Sequence, residues 1–197
     1  MMHDVMDKYQ NKYRIPSTRL QNWDYGWSAS YFVTICTENR KCYFGAIVQD
    51  KMHLSPLGTL AETCWYEIQH HAPGVELGPF VVMPNHIHGI LTLNGKGNDT
   101  DNSVETRHAL SLQLPSQTIG RNRFQNQGKN TLSSIIGSYK SAVTKHAHRL
   151  GYDFTWQSRF YDHIIRNADS YYKIQNYIQN NPMNWKADAL YEERINA

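Results

Sequence analysis

The segment Met83-Pro-Asn-His86-Ile-His88-Gly89 places two histidines one residue apart. The apolar, β-branched run that follows, through Ile90 to Leu93, reads as a strand that begins after Asn85 and is closed by Asn94-Gly95. Residues two apart on a strand share a face, so His86 and His88 present two imidazoles side by side while Ile87 points into the core. Two adjacent imidazoles are half a site for a divalent cation. A pair of this kind also occurs as plain sheet surface. A zinc hydrolase would add a third His, Cys or carboxylate at recognisable spacing, and none stands out.

A second chemical group lies near the end of the chain. After Asn167-Ala-Asp169 the residues Tyr171, Ile174 and Ile178 recur on one helical stripe, which is the buried side. At about 100° per residue, Tyr177 falls on the flank of that stripe, with Asn181 one turn further along. A tyrosine there packs its ring and leaves its hydroxyl free. From spacing alone it reads first as an ordinary rim residue in a chain with 13 tyrosines. Pro182 disfavours helical geometry at Asn181 and should end the helix there.

Several elements must position these groups. Tyr31-Phe-Val-Thr-Ile-Cys-Thr37 is β-branched and aromatic and predicts a strand, with Cys42-Tyr-Phe44 as its continuation or hairpin partner. Ser55-Pro56 opens a helix whose Leu57, Leu60, Ala61, Cys64, Trp65 and Ile68 share a face, ending near His70-His71. Gly78 to Met83 reads as a buried strand. Leu132, Ile135, Ile136, Tyr139, Val143 and Leu150 mark a helix over 131–149, and 156–165 a turn and a strand. This order has too few β-α-β alternations for a doubly wound sheet. It predicts an α+β, ferredoxin-like (RRM-like) domain with a central antiparallel sheet and helices packed against it. Residues 1–29 read as a basic, aromatic arm ahead of one domain over 30–197. The apolar-poor stretch 95–130 is too long for an ordinary connection and reads as a flexible insertion.

Composition narrows the class. With 20 basic and 17 acidic residues, the net charge of +3 is too small to argue for nucleic acid by itself. The 13 Tyr, 5 Trp and 6 Phe are a rich supply for stacking on unpaired bases. Three cysteines without a CxxC pair indicate neither a disulfide framework nor a cysteine zinc site. With a polar N-terminal stretch and no run of roughly 20 apolar residues, the expectation is a soluble, cytoplasmic protein.

Four segments in register resemble one family. Tyr31-Phe-Val-Thr-Ile-Cys-Thr, Met83-Pro-Asn-His-Ile-His-Gly-Ile-Leu, Trp156-Gln-Ser-Arg-Phe-Tyr-Asp-His-Ile-Ile-Arg and Asn176-Tyr-Ile-Gln-Asn-Asn-Pro182 are similar to those of the REP-associated tyrosine transposases, within the HUH single-tyrosine superfamily. The resemblance runs from about Asp24 to Trp185, interrupted by the insertion. It implies that His86 and His88 are the histidines of the HUH motif and that Tyr177 is the nucleophile. It implies further that Asn181 completes a site for Mg²⁺ or Mn²⁺. The implied activity is a metal-dependent single-strand DNA endonuclease and strand transferase of transposase kind, acting on hairpin-containing DNA through a 5′-phosphotyrosine. Such a substrate asks for a basic groove, for which Lys12, Arg14, Lys140, Lys145, Arg149, Arg159 and Arg166 are the candidates. Monomer and homodimer both remain open. The main alternative is a sheet of RNA-recognition type that binds single strands without cutting them. A zinc-dependent hydrolase, which leaves Tyr177 idle, is a third.

Overall fold

Alternation along the sheet strands sorts their side chains onto two faces, and each face has its own cover. The computed structural model describes residues 23–94 and 130–191, together with the backbone of a short antiparallel pair, β1 (Lys8–Tyr9) and β2 (Lys12–Tyr13). There follow β3 (Ala29–Cys36), a hairpin of β4 (Gly45–Val48) and β5 (Lys51–Leu54), α1 (Pro56–Tyr66), α2 (Ile68–His71), β6 (Val75–Val82), β7 (His86–Leu93), α3 (Leu132–Arg149), β8 (Tyr161–Ile165) and α4 (Ala168–Asn180). The main sheet runs β6-β7-β3-β8, antiparallel throughout. With α1 after β3 and α3 after β7, this is the β-α-β-β-α-β order of the ferredoxin-like fold. The predicted insertion lies outside the described residues except for Asn130.

One face of the sheet carries Tyr31, Val33 and Ile35 of β3 with Ile87 and Leu91 of β7. It is covered by Leu57, Ala61 and Trp65 of α1 and by Leu132, Ile136, Tyr139 and Val143 of α3. Ser55 caps α1 by accepting from the Gly58 N–H at 3.0 Å, and Thr131 with Ser134 forms a capping box on α3. Trp65 packs closely against β7 at Gly89, which has no side chain. A Cβ there would stand 2.3 Å from Trp65 Cζ2. Gly89→Ala should therefore destabilise the domain by about 2 kcal/mol through overpacking, read as a lower urea midpoint with unchanged slope.

The opposite face carries Phe32 and Ile90, with Ile165 of β8. It is covered by Tyr171, Ile174 and Ile178 of α4, which packs over β6 and β7. Among the described residues, no helix is long and apolar enough to cross a membrane.

Several expected boundaries shift. Thr37 leaves the strand and forms an isolated bridge with Trp156. Cys42–Phe44 is neither a continuation nor a partner of β3, because Phe44 is drawn into the core against Phe154 and Trp156. The hairpin comes just after it, turning on Gln49 and Asp50 with φ of 49° and 59°. The helix from Ser55 breaks at Glu67 into α1 and α2. β6 starts at Val75, three residues ahead of Gly78, with a register shift between Leu77 and Phe80. Asn181 keeps helical angles (φ −59°, ψ −42°) despite Pro182. A turn after it compensates, since Asn184 N–H donates to Asn181 O at 3.1 Å.

Candidate active site

β7 supplies the two imidazoles. His86 and His88 are buried, on the face beneath α4, with ring centroids 4.4 Å apart. The neighbouring amide sets the His86 tautomer. Asn85 Nδ2 donates to Leu190 O at 2.9 Å, which leaves Asn85 Oδ1 to accept from His86 Nδ1 at 2.7 Å. The proton therefore sits on Nδ1, and His86 Nε2 is a buried lone pair without a hydrogen-bond partner. Thr34, opposite His88 in the β3–β7 register, holds His88 Nδ1 at 2.8 Å through its hydroxyl. Fixing one ring nitrogen so that the other faces a common point is how metal-binding histidines are oriented.

α4 supplies Tyr177 and Asn181. The Tyr177 hydroxyl lies 3.1 Å from His88 Nε2 and 3.2 Å from Asp188 Oδ2, and its ring packs edge-on to Phe32 and His88. The residue is 46% exposed, so a ligand can reach it from outside. Asn181 is buried. Its Nδ2 donates to Asp188 Oδ2 at 2.8 Å, and its Oδ1 has no partner.

Asp188 is the group that sequence reasoning missed. It follows a single 3-10 turn, Trp185–Ala187, and is locked by Leu190 N–H donating to Oδ1 at 2.6 Å. His86, His88 and Asp188 each offer a ligand atom, and these atoms all lie within 4.8 Å of one another. Nothing in the spacing announces a carboxylate 11 residues beyond Tyr177, across a proline. No third His, Cys or carboxylate stood out at recognisable spacing, and the turn that Pro182 begins brings Asp188 to the two histidines, next to the expected Asn181.

The titration behaviour follows from this enclosure. Burial, then the neighbouring His88, lowers His86 to about 3, and burial lowers His88 to about 4, with the Asp188 charge opposing both. Both imidazoles are therefore neutral near neutral pH, as ligands must be. Asp188 is pushed up by burial, but hydrogen bonds from Asn181 and Leu190 outweigh this and hold it below the usual carboxylate range. Burial and the Asp188 charge push Tyr177 up to about 12, which keeps the phenol protonated. Two unpartnered buried acceptors beside a carboxylate suit a divalent cation. With Asp188 the protein brings one negative charge to it, where two imidazoles alone would bring none.

The candidate basic residues are dispersed. Arg159 and Arg166 are exposed near the two ends of β8, at the sheet edge beside β3. Lys145 and Arg149 are exposed on α3, on the far face of the sheet. Lys140 is half-buried: its ammonium donates to Gln157 O and lies 5.9 Å from the Trp156 ring centroid. Lys12 contributes only backbone to the description, and Arg14 lies outside the described residues.

No family model matches the chain. It is 38% identical over 176 residues to an uncharacterized protein of Haemophilus influenzae, an alignment covering 89% of this chain and 92% of that one. Its fold resembles that of a REP-associated tyrosine transposase solved bound to a REP hairpin. That match has a TM-score of 0.54 and 20% identity, covering 86% of this chain and 73% of the transposase. At that identity the likeness speaks for the fold. The chain belongs to one family with the Haemophilus influenzae protein, built on an α+β fold like that of the REP-associated tyrosine transposase.

Proposed function

We propose that this chain is a metal-dependent single-strand DNA endonuclease and strand transferase of transposase kind, cutting hairpin-containing DNA with Tyr177. The observation that carries the reading is a tyrosine hydroxyl 3.1 Å from His88 and 3.2 Å from Asp188, at the rim of a buried His-His-Asp cluster. A module that only binds single strands has no use for a buried imidazole nitrogen fixed in its lone-pair form.

His86 Nε2, His88 Nε2 and Asp188 would hold the ion, with the unpartnered Asn181 Oδ1 as a further donor. Mg²⁺ or Mn²⁺ bound there would polarise the phosphorus and draw the phenol's pKa down from about 12. Tyr177 Oη, having lost its proton to solvent at the exposed rim, attacks phosphorus. The bond from phosphorus to the 3′ oxygen breaks, and the 3′ oxygen takes up a proton and leaves as hydroxyl. The 5′ phosphate stays on Tyr177 as a phosphodiester, which conserves the bond for rejoining to another 3′ hydroxyl. Asn181 Nδ2 steadies Asp188, and Thr34 and Asn85 hold the imidazoles in place. Among the basic candidates, Arg159 is the best placed for a phosphate contact, because it precedes the Tyr161 end of β8, which Thr34 links to His88.

The test is a pool of DNA hairpins with randomised single-stranded flanks, incubated with the full chain and Mn²⁺. Mass spectrometry should find a nucleotide adduct on Tyr177. Absence of any adduct and any cut strand in both Mn²⁺ and Mg²⁺ would overturn the reading.

A further inference from the structure

The face that carries His86 and His88 is unevenly covered. α4 packs over β6 and β7, and its Ile178 reaches Ile165 at the far end of β8. The near end of β8 is open among the described residues, where Tyr161 is 52% exposed. Register fixes what stands there: Phe32 is opposite His163 and Thr34 is opposite Tyr161. Because Thr34 holds His88, Tyr161 lies on the same face as the imidazoles.

The rings on this face form a continuous row. Tyr161 meets Phe32 edge-on at 6.4 Å between centroids, and Phe32 meets Tyr177 at 6.1 Å and stacks on His88 at 5.3 Å. Tyr161 thus stands one ring away from the tyrosine that would take the phosphate. β8 is an edge strand with Arg159 exposed just ahead of it, and the alternation that turns Asp162 to the other face turns Arg166 there as well. A strand of DNA laid across the Tyr161 end finds a cation for a phosphate and an exposed ring for a base.

We propose that Tyr161 is the stacking platform for an unpaired base next to the phosphate presented to Tyr177, with Phe32 backing its edge. This rests on the endonuclease reading and names the residue that positions its single-stranded substrate. Stacking tolerates any base, because each has a π-face, and it fails on paired DNA, whose bases are already stacked.

The probe is a DNA hairpin whose single-stranded flank carries 2-aminopurine at each position in turn, bound to the full chain in EDTA so that nothing is cut. Wild type should quench the fluorescence at one or two adjacent positions. Tyr161→Ala should abolish that quench and weaken binding of the flanked hairpin about 5- to 100-fold, the range for one lost stacking contact. A blunt duplex of the same stem should bind within about twofold of wild type, which a merely structural role for Tyr161 would not spare. Tyr161→Phe should retain the quench. Tyr161→Thr, β-branched and suited to an edge strand, carries the same test should the alanine variant fold poorly. A quench that persists in the alanine and threonine variants, or an equal loss on the blunt duplex, overturns the proposal. The adduct on Tyr177 is read separately. Adduct without a Tyr161-dependent quench removes the stacking role alone, and such a quench without adduct removes the endonuclease and leaves the stacking.

Discussion

Under the proposed mechanism, Tyr177→Phe should abolish the covalent protein–DNA adduct and leave hairpin binding within about twofold of wild type. The substitution removes one oxygen and keeps the ring, so the packing against Phe32 and His88 survives. The lost hydrogen bonds, to His88 Nε2 and Asp188 Oδ2, sit at a half-exposed position and change stability by roughly 1 kcal/mol or less. Three neighbouring tyrosines are poorly placed to take over. Tyr139 is buried on the far face and donates its hydroxyl to Ala61 O at 3.0 Å. Tyr171 packs with Ile174 on the sheet side of α4, and Tyr172 is 59% exposed with its ring against Tyr171. Denaturing gels and mass spectrometry read the outcome directly. An adduct that survives in Tyr177→Phe and disappears in Tyr172→Phe or Tyr161→Phe moves the nucleophile elsewhere.

The double substitution His86→Ala, His88→Ala should lose both cleavage and measurable Mn²⁺ binding, while hairpin affinity stays within roughly tenfold because phosphate and stacking contacts supply most of it. Asp188→Asn makes a graded comparison. It can still accept from Leu190 N–H, but it removes the one negative charge of the cluster. Its Mn²⁺ affinity should fall by at least the 10- to 100-fold typical of disturbing a metal site's supporting shell. Calorimetric titration with Mn²⁺ measures both variants. Cleavage that continues in EDTA, or unchanged Mn²⁺ affinity in the double variant, would sink the metal assignment.

What could be read from residues alone depended on how local the cause was. The limits of β7 were legible because Pro84-Asn85 and Asn94-Gly95 punctuate a clean apolar run. The stripe on α4 was legible because Tyr171, Ile174 and Ile178 share a helical period. The start of β6 was not, since Gly78-Pro79 looks like a strand opening and the ladder instead absorbs it as a register shift. The β4–β5 hairpin was hidden because Gln49 and Asp50 take left-handed angles without the usual Asn-Gly signature. Asp188 was illegible for a different reason. Its place is set by tertiary hydrogen bonds, from Asn181 to its carboxylate and from Asn85 to Leu190, that no periodicity encodes.

The central strand β3 has no near neighbour in sequence. The Thr34–His88 contact spans 54 residues, and on the other side Ser30 pairs with Ile165. Loops of that size must close before any of this pairing is rewarded, so the sheet should form more slowly than the local helices. The imidazoles are carried by β7 and held by β3 through Thr34, and Asp188 joins them from the segment beyond α4. A partly folded chain therefore holds scattered histidines and no chelating centre. If the proposed site holds a divalent ion, its capture should report when these distant segments have come together, separately from the appearance of helix.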